Sequence, residues 1–337
     1  MKKRVTIEDV ARASHVSVAT VSLVMRGRTG INIETRKRVE QVARALGYQR
    51  RRSRNEQHVQ RISVLMRQQS GYGAELNMVE SHVLHGIEDV CRRRGIRNDV
   101  RQVVFGDVSM TNKPILFPLQ YEYGGVISVG VTVDDDISNY VRDANIPCVF
   151  VDVDPPSSMF DSVHVDYEDA VSDLVGYLVA IGHRSVALID THGASNTWQA
   201  TMKSSMRCFG MLDPYWCTAD ATSSSVQAVL YELFQRYSHV STIICRNDVI
   251  AMHVVQQLQH MGRYVPQSIS VVGFHDVAAI PDIAGLTTIR VDAAALGALA
   301  VQTLLHRIEW PNTPRLNTTI QAALVIRQST QPHIAHL

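Results

Sequence analysis

Cysteine is scarce and unpatterned in this 337-residue sequence: Cys91, Cys148, Cys208, Cys217 and Cys245, an odd number with no CxxC spacing. That usage argues against a disulfide framework or a thiolate zinc site and suits a reducing cytoplasm. The five thiols read as small core hydrophobes. No stretch approaches the roughly 18 uncharged apolar residues of a membrane span. The opening MKKRVTIEDVARA has basic residues with no apolar run behind them, so no secretory signal is expected. The phosphate-loop, HExxH, GxSxG and DxDxDG motifs are all missing, and GYGAEL at 71–76 lacks the third glycine of a dinucleotide fingerprint. Catalysis therefore has no motif to stand on, and neither a cofactor nor a metal is expected. Hydrophobic content of 45% with 19% charged residues is ordinary for a soluble globular chain of two or three folded units.

Net charge is also small, +1, but it conceals a polarity. Residues 1–61 carry 15 Lys/Arg against 5 Asp/Glu, a net of +10; the remainder carries 18 against 27, a net of −9. A basic head on an acidic body points to a polyanion that meets the head alone.

The head reads as three short helices. Thr6 with Asp9 three residues on forms a capping box ahead of Ile7, Val10 and Ala11, which share one face. Ser14-His15-Val16 is a tight connection, and Ser17 is placed to cap a second helix, Val18 to Arg26. Val21, Val24 and Met25 can pack inward, leaving Val18, Ala19, Ser22, Leu23 and Arg26 on or near the other face. Asn32 can cap a third helix that runs to Leu46, buries Val39, Val42, Ala43 and Leu46, and stops at Gly47. This is the helix-turn-helix plan, whose second helix enters the DNA major groove N-terminal end first.

VTIEDVARASHVSVATVSLVMRG, followed by TRKRVEQVARALGY, resembles the head of the lactose/galactose repressor family of bacterial regulators. The resemblance implies that Val18, Ala19 and Leu23 hold base-reading positions. It places Thr6, Ser17, Thr20, Ser22, Arg26 and Tyr48 where contacts position the DNA backbone. Hydroxyls and helix N-termini bind phosphate, whereas side chains deeper in the groove read bases. Many family members have arginine where this chain has Leu23; leucine offers only apolar contact, for instance to a thymine methyl, so the operator should differ there. The family's leucine-bearing minor-groove hinge is replaced by GYQRRRSRNEQHVQR, in which Arg50, Arg51 and Arg52 supply charge for phosphates or a narrow minor groove.

From Arg61 onward apolar runs at 61–66, 100–105, 125–129, 147–152, 185–190, 241–245, 269–273 and 287–291 read as strands. Helical patterns alternate with them near 78–94, 168–181, 225–237, 248–262 and 292–308, which predicts parallel sheets of βαβ units. The family resemblance continues through VHVDYEDAVSDLVGYLVAIGHRSVALID, CRNDVIAMHVVQQLQHMGRYVPQSISVVGFHD and LTTIRVDAAALGALAVQTLL. It implies a two-lobed α/β body like a periplasmic binding protein. The expected domains are a helix-turn-helix head at 1–48, a basic hinge at 49–61 and a body at 62–337. The expected lobes are about 62–162 with 292–322, and 163–291 with 323–337.

By matching position Asp169, Gln199, Asn247 and His275 are effector-binding candidates. Asp169 and Asn247 are equally suited to capping the helices at 168 and 248. His275 in GFHD stands where the family commonly has a sugar-binding aspartate, and Gln199, beside Trp198, stands nearest an expected arginine. Loss of both charges argues against a sugar-hydroxyl clamp and suits a less hydroxylated, aromatic or anionic ligand. A protonated His275 would pair with an anion, weakening as pH rises through its titration. The expected function is a cytoplasmic homodimer, no membrane involved, that binds an inverted-repeat operator under control of a small molecule. The alternatives are a ligand-independent regulator whose body only dimerises and, more weakly, an enzyme with a fused DNA-binding head.

Overall fold

The computed structural model describes residues 5–25, 31–46, 48, 61–68, 78–104, 124–130, 141–142, 145–153, 160–191, 196–277 and 285–333. The head contains α1 (Ile7–Ala13), α2 (Val18–Met25) and α3 (Ile33–Ala45). Beyond it lie β1 (Arg61–Gln68), α4 (Met78–Arg94), β2 (Arg97–Val104), β3 (Val126–Val129), β4 (Cys148–Val151) and β5 (Asp161–Asp166). Then come α5 (Glu168–Ala180), β6 (Val186–Asp190), α6 (Asn196–Cys208), β7 (Tyr215–Thr218), α7 (Ser223–Arg236), β8 (Thr242–Cys245) and α8 (Asp248–His260). The last are β9 (Ser270–His275), β10 (Thr287–Arg290), α9 (Ala293–Glu309), β11 (Asn317–Gln321) and β12 (Ala323–Val325). The chain divides into two compact units, 1–68 with 88–162 and 300–316, and 69–87 with 163–299 and 317–337.

The head's helices meet on Val10, Ala11, Val21, Val24, Val39 and Ala43. So small a core leans on its caps. The capping box is present in both directions at Thr6 and Asp9. Ser17 Oγ accepts from Thr20 N at 3.0 Å, and Asn32 Oδ1 accepts from Glu34 N at 2.9 Å. His15 takes φ 54 in the turn between α1 and α2, and Arg38 of α3 donates to the Ser14 carbonyl at 3.1 Å. Leu46 is not buried as its spacing predicts. α3 ends at Ala45, Leu46 is 39% exposed, and half-buried Tyr48 packs against the core.

Two six-stranded sheets have the orders β11-β5-β4-β3-β1-β2 and β12-β10-β9-β8-β6-β7. Pairings β1–β2, β1–β3, β3–β4, β6–β7, β6–β8, β8–β9 and β9–β10 are parallel, and β10–β12 is antiparallel. The inner strands VISV, CVFV, VALID and TIIC are buried along their whole length. Parallel strands covered on both faces need such unbroken apolar runs. In the second unit the starts of α4 and α9 approach backbone to backbone. A Cβ on Gly297 would lie 2.0 Å from the Val83 carbonyl oxygen, so only glycine fits there.

In the first unit the carboxylate of Asp161, fully buried, receives Arg307 Nε and Nη2, both at 2.7 Å, and Leu316 N at 2.8 Å. Arg307 also donates to the carbonyls of Thr313 and Pro314, at 2.7 and 2.8 Å. One guanidinium thus ties the end of α9 and the following loop to the start of β5.

Candidate functional site

α2 presents an apolar outer surface: Val18 and Leu23 are each 41% exposed and Ala19 is exposed beside them. Exposed apolar side chains are ordinary one at a time, but here three are grouped opposite the face that forms the head's core. Beside them Ser17 and Thr20 share a 2.8 Å hydroxyl bond, at an N-terminus whose first N–H groups have no helical partner. Ser22 is half-buried, and Thr6 is held by Asp9 through 3.0 Å and 2.9 Å bonds. Tyr48 donates its N–H to the Ala43 carbonyl at 2.9 Å. The structure thus gathers Ser17, Val18, Ala19, Thr20 and Leu23 at one end and face of α2. Arg26, Arg50, Arg51 and Arg52 lie outside the described residues.

The second constellation sits at the carboxyl ends of three neighbouring parallel strands, β6, β8 and β9, where open α/β sheets bind ligands. β6 ends in Asp190, 2% exposed; its Oδ1 accepts from Thr191 N at 2.8 Å and its Oδ2 from Gln199 Nε2 at 3.0 Å. Arg246 follows β8, its Nε 3.8 Å from Asp190 Oδ1 and its guanidinium 5.4 Å above the Trp198 ring. β9 ends in His275, linked through an aromatic chain. His275 lies 6.5 Å edge-on to Phe274, Phe274 5.7 Å from Trp198, and Trp198 5.9 Å from Trp216.

His275 and Asp276 both take positive φ, 95 and 55. Such backbone survives only where surroundings over-determine it; here Arg290 and Arg327 grip the Asp276 carboxylate at 2.6 and 2.8 Å. Burial, reinforced by the Arg246 charge, lowers the His275 imidazole to about 3. Burial thus favours the neutral ring at physiological pH, and the charged group beside it is Arg246. His275 also lines a recess of about 130 Å3 with Val79, His82, Asp292 and Ala293. That is smaller than the ~300–1,000 Å3 of a typical small-molecule pocket.

Two candidates are engaged otherwise or stand apart. Asn247 caps α8, its Oδ1 accepting from Ile250 N at 2.9 Å. Asp169 is exposed in the first turn of α5 and has no capping bond there; Asp166 Oδ1 accepts from Glu168 N at 3.0 Å. Buried Asp248 beside them is structural. It accepts from Thr288 Oγ1 at 2.9 Å and Val277 N at 2.7 Å, and burial raises it to about 6.

The pattern of the bacterial regulatory proteins of the lacI family matches residues 6–51, and that of the periplasmic binding protein-like domain matches residues 175–330. The chain carries a lacI-family DNA-binding head and a periplasmic binding protein-like body. It is a DNA-binding transcription regulator of helix-turn-helix type. A lacI-family relative, the HTH-type transcriptional repressor CytR of Escherichia coli K12, is 26% identical over 342 residues, covering 97% of this chain and 96% of its own. The HTH-type transcriptional regulator PtxS of Pseudomonas putida is 27% identical, covering 98% and 97%. Among solved structures, the lac repressor dimer bound to operator and the anti-inducer ONPF has TM-score 0.70 at 24% identity, covering 98% of this chain and 100% of that one. The CelR–cellobiose complex has TM-score 0.70 at 20% identity, covering 97% and 100%.

Asp190 and Arg246 stand in this cluster although matching by position does not point to them. Their signal is present in the sequence: each predicted strand of a parallel sheet delivers its last residue to the ligand edge. Asp190 ends its strand and Arg246 follows the next one.

Proposed function

We propose that the chain is a cytoplasmic homodimeric repressor that binds an inverted-repeat operator and is modulated by a small molecule held in its α/β body. The observation that carries the DNA half is the exposed apolar surface of α2, with Val18 and Leu23 each 41% exposed above a hydroxyl-bearing N-terminus. In this reading Val18, Ala19 and Leu23 read bases. Thr6, Ser17, Thr20, Ser22, Arg26 and Tyr48 position the backbone, and Arg50, Arg51 and Arg52 neutralise phosphates. The similar protein CytR is a transcriptional repressor, which supports repression as the output.

The effector site is built from Gln199 and His275; Asn247, which caps α8, and Asp169, exposed on α5, are candidates by the family resemblance alone. The lobes are about 62–162 with 292–322, and 163–291 with 323–337. Ligand binding would change their angle and so the placement of two heads about one helical turn (~34 Å) apart. Couplings of this kind are typically about 1–3 kcal/mol. A second reading, a body that only dimerises, is favoured by one observation: Asp190 and Asp276 already have internal partners.

Footprinting on sites selected from random DNA tests the first half, with two protected half-sites one turn apart as the expected result. A thermal-shift screen of metabolites tests the second. A ligand at 100 times its dissociation constant adds about 2.7 kcal/mol, whereas a scaffold gives no hit.

A further inference from the structure

We infer that the ligand of the body is a small organic carboxylate with a flat or ring-shaped apolar face, and that Arg246 is its counter-cation. The inference rests on the ligand-binding half of the proposed function and names the chemical class that site takes.

The cluster has more hydrogen-bond donors than acceptors. Asp190, its carboxylate, is committed to Thr191 N and Gln199 Nε2. Arg246 Nε approaches that carboxylate only to 3.8 Å, an ion pair longer than a hydrogen bond, and Arg246 Nη1 is buried without a partner. The indole Nε1 atoms of Trp198, 3% exposed, and of Trp216 are buried without partners too, as is Nδ1 of His275. Each such group left unmatched costs about 1–3 kcal/mol, and a buried tryptophan usually finds an acceptor for its N–H. Three unmatched N–H groups, on Arg246 and the two tryptophans, therefore call for a ligand that brings acceptors.

Charge narrows the class. One carboxylate, Asp190, faces two cations among the described residues: Arg246, and Lys203, whose ammonium lies 5.3 Å from the Trp216 ring centre. A surplus of one positive charge matches a monoanion. A phosphate dianion would face greater repulsion from Asp190. The guanidinium fork fits a carboxylate with two parallel bonds, and the guanidinium lies over the Trp198 ring at 5.4 Å. Trp216, half-buried and edge-on to Trp198 at 5.9 Å, supplies an apolar face for the rest of the molecule.

The test uses the full-length chain and matched probe pairs that differ in the acid group: benzoate with benzamide, gluconate with glucose, and a wider panel built likewise, plus inorganic phosphate and glucose 6-phosphate. Thermal shift identifies binders and calorimetry gives their affinities. The expected result is a carboxylate that binds at least tenfold tighter than its neutral partner. Arg246→Gln should abolish that preference, and Arg246→Lys should keep part of it. Trp216→Phe, which removes the indole N–H and part of the ring, should weaken the acid more than its neutral partner. Neutral partners binding as tightly as acids, or an acid preference that survives Arg246→Gln, would overturn the inference and leave ligand control standing. Preference for the phosphates would overturn the carboxylate class. Absence of any shift across the whole panel would overturn ligand control itself, and the inference with it.

Discussion

Replacing Arg307 by leucine should cost about 3–5 kcal/mol, the range for breaking a buried ion pair from one side. Its carboxylate partner Asp161 is fully buried, and Arg307 is only 3% exposed. The variant would leave that carboxylate with the Leu316 N–H bond and with Arg315, whose Nη1 is 3.9 Å away and whose side chain is 44% exposed. An exposed arginine reaching in at that distance compensates weakly. The carbonyls of Thr313 and Pro314 lose a charged donor as well. For a body of this size each kcal/mol lowers the melting temperature by about 2–4 °C, so the variant should melt roughly 10 °C below the wild type. Asp161→Leu with Arg307→Leu should recover part of the loss, since the stranded charge is gone, although the loop carbonyls remain short of a donor. Urea unfolding followed by far-ultraviolet circular dichroism measures both. A single-variant cost below about 1 kcal/mol would show that Asp161 finds water or a proton and that the clamp does not hold this unit together.

Acid should destabilise the second unit through His183, which burial lowers to about 4 from 6.5 while its ring bonds Ser241 Oγ and the Gln331 carbonyl. Because its folded pKa lies below the unfolded one, the unfolded chain takes up the extra proton. The stabilisation is complete above about pH 6.5 and is lost, by roughly 3 kcal/mol, as pH falls to 4. Buried Asp248, raised to about 6, acts in the opposite sense, so His183→Gln against wild type across this window isolates the histidine; parallel stability curves would refute its role. Gly297→Ala should lose about 2–3 kcal/mol from overpacking against Val83. Gly95→Ala, with open space around its Cβ and φ 65, should lose only about 1 kcal/mol, and equal losses by thermal melting would contradict the close helix approach. Alanine at Arg50, Arg51 and Arg52 together should weaken operator and random DNA alike, lowering the slope of log K against log salt by about 0.9 for each phosphate no longer neutralised. An unchanged slope would make the arginine run a solvated linker.

The head is legible almost residue by residue because its signals are local: the Thr6–Asp9 box, the Ser17 and Asn32 caps, and valines spaced at three and four. Leu46 is the exception because periodicity does not say where a helix stops. In the body, fully buried strands announce themselves as unbroken apolar runs. Strand β7, β11 and three-residue β12 do not: YWCT at 215–218 and NTTIQ at 317–321 are only partly covered, and mixed polarity hides an edge strand. Strand β5 (DSVHVD) opens on the polar pair Asp161 and Ser162, both buried, and so breaks the apolar run as well. Helix α6 is hidden because its Asn, Thr and Ser content weakens helix propensity. Its buried Trp198, Met202 and Met206, each four apart, carry the period all the same. At the ligand site the four candidates come from matching positions, and that method cannot see a charge moved to another strand. Arg246 enters from β8 while Gln199 and His275 hold the matched places.

Whether α2 reads bases through Leu23 is decided by one comparison, the affinity of wild type and Leu23→Ala for a selected operator and for random DNA at fixed salt. Leu23 is exposed and contributes nothing to the head's core, so the variant should fold normally. Removing one apolar grip on a base should weaken operator binding by about tenfold, within the roughly 1–3 kcal/mol by which a site discriminates one base pair, while binding to random DNA stays the same. Equal affinities for the operator, or a parallel loss on both DNAs, would contradict a recognition role for this face of α2.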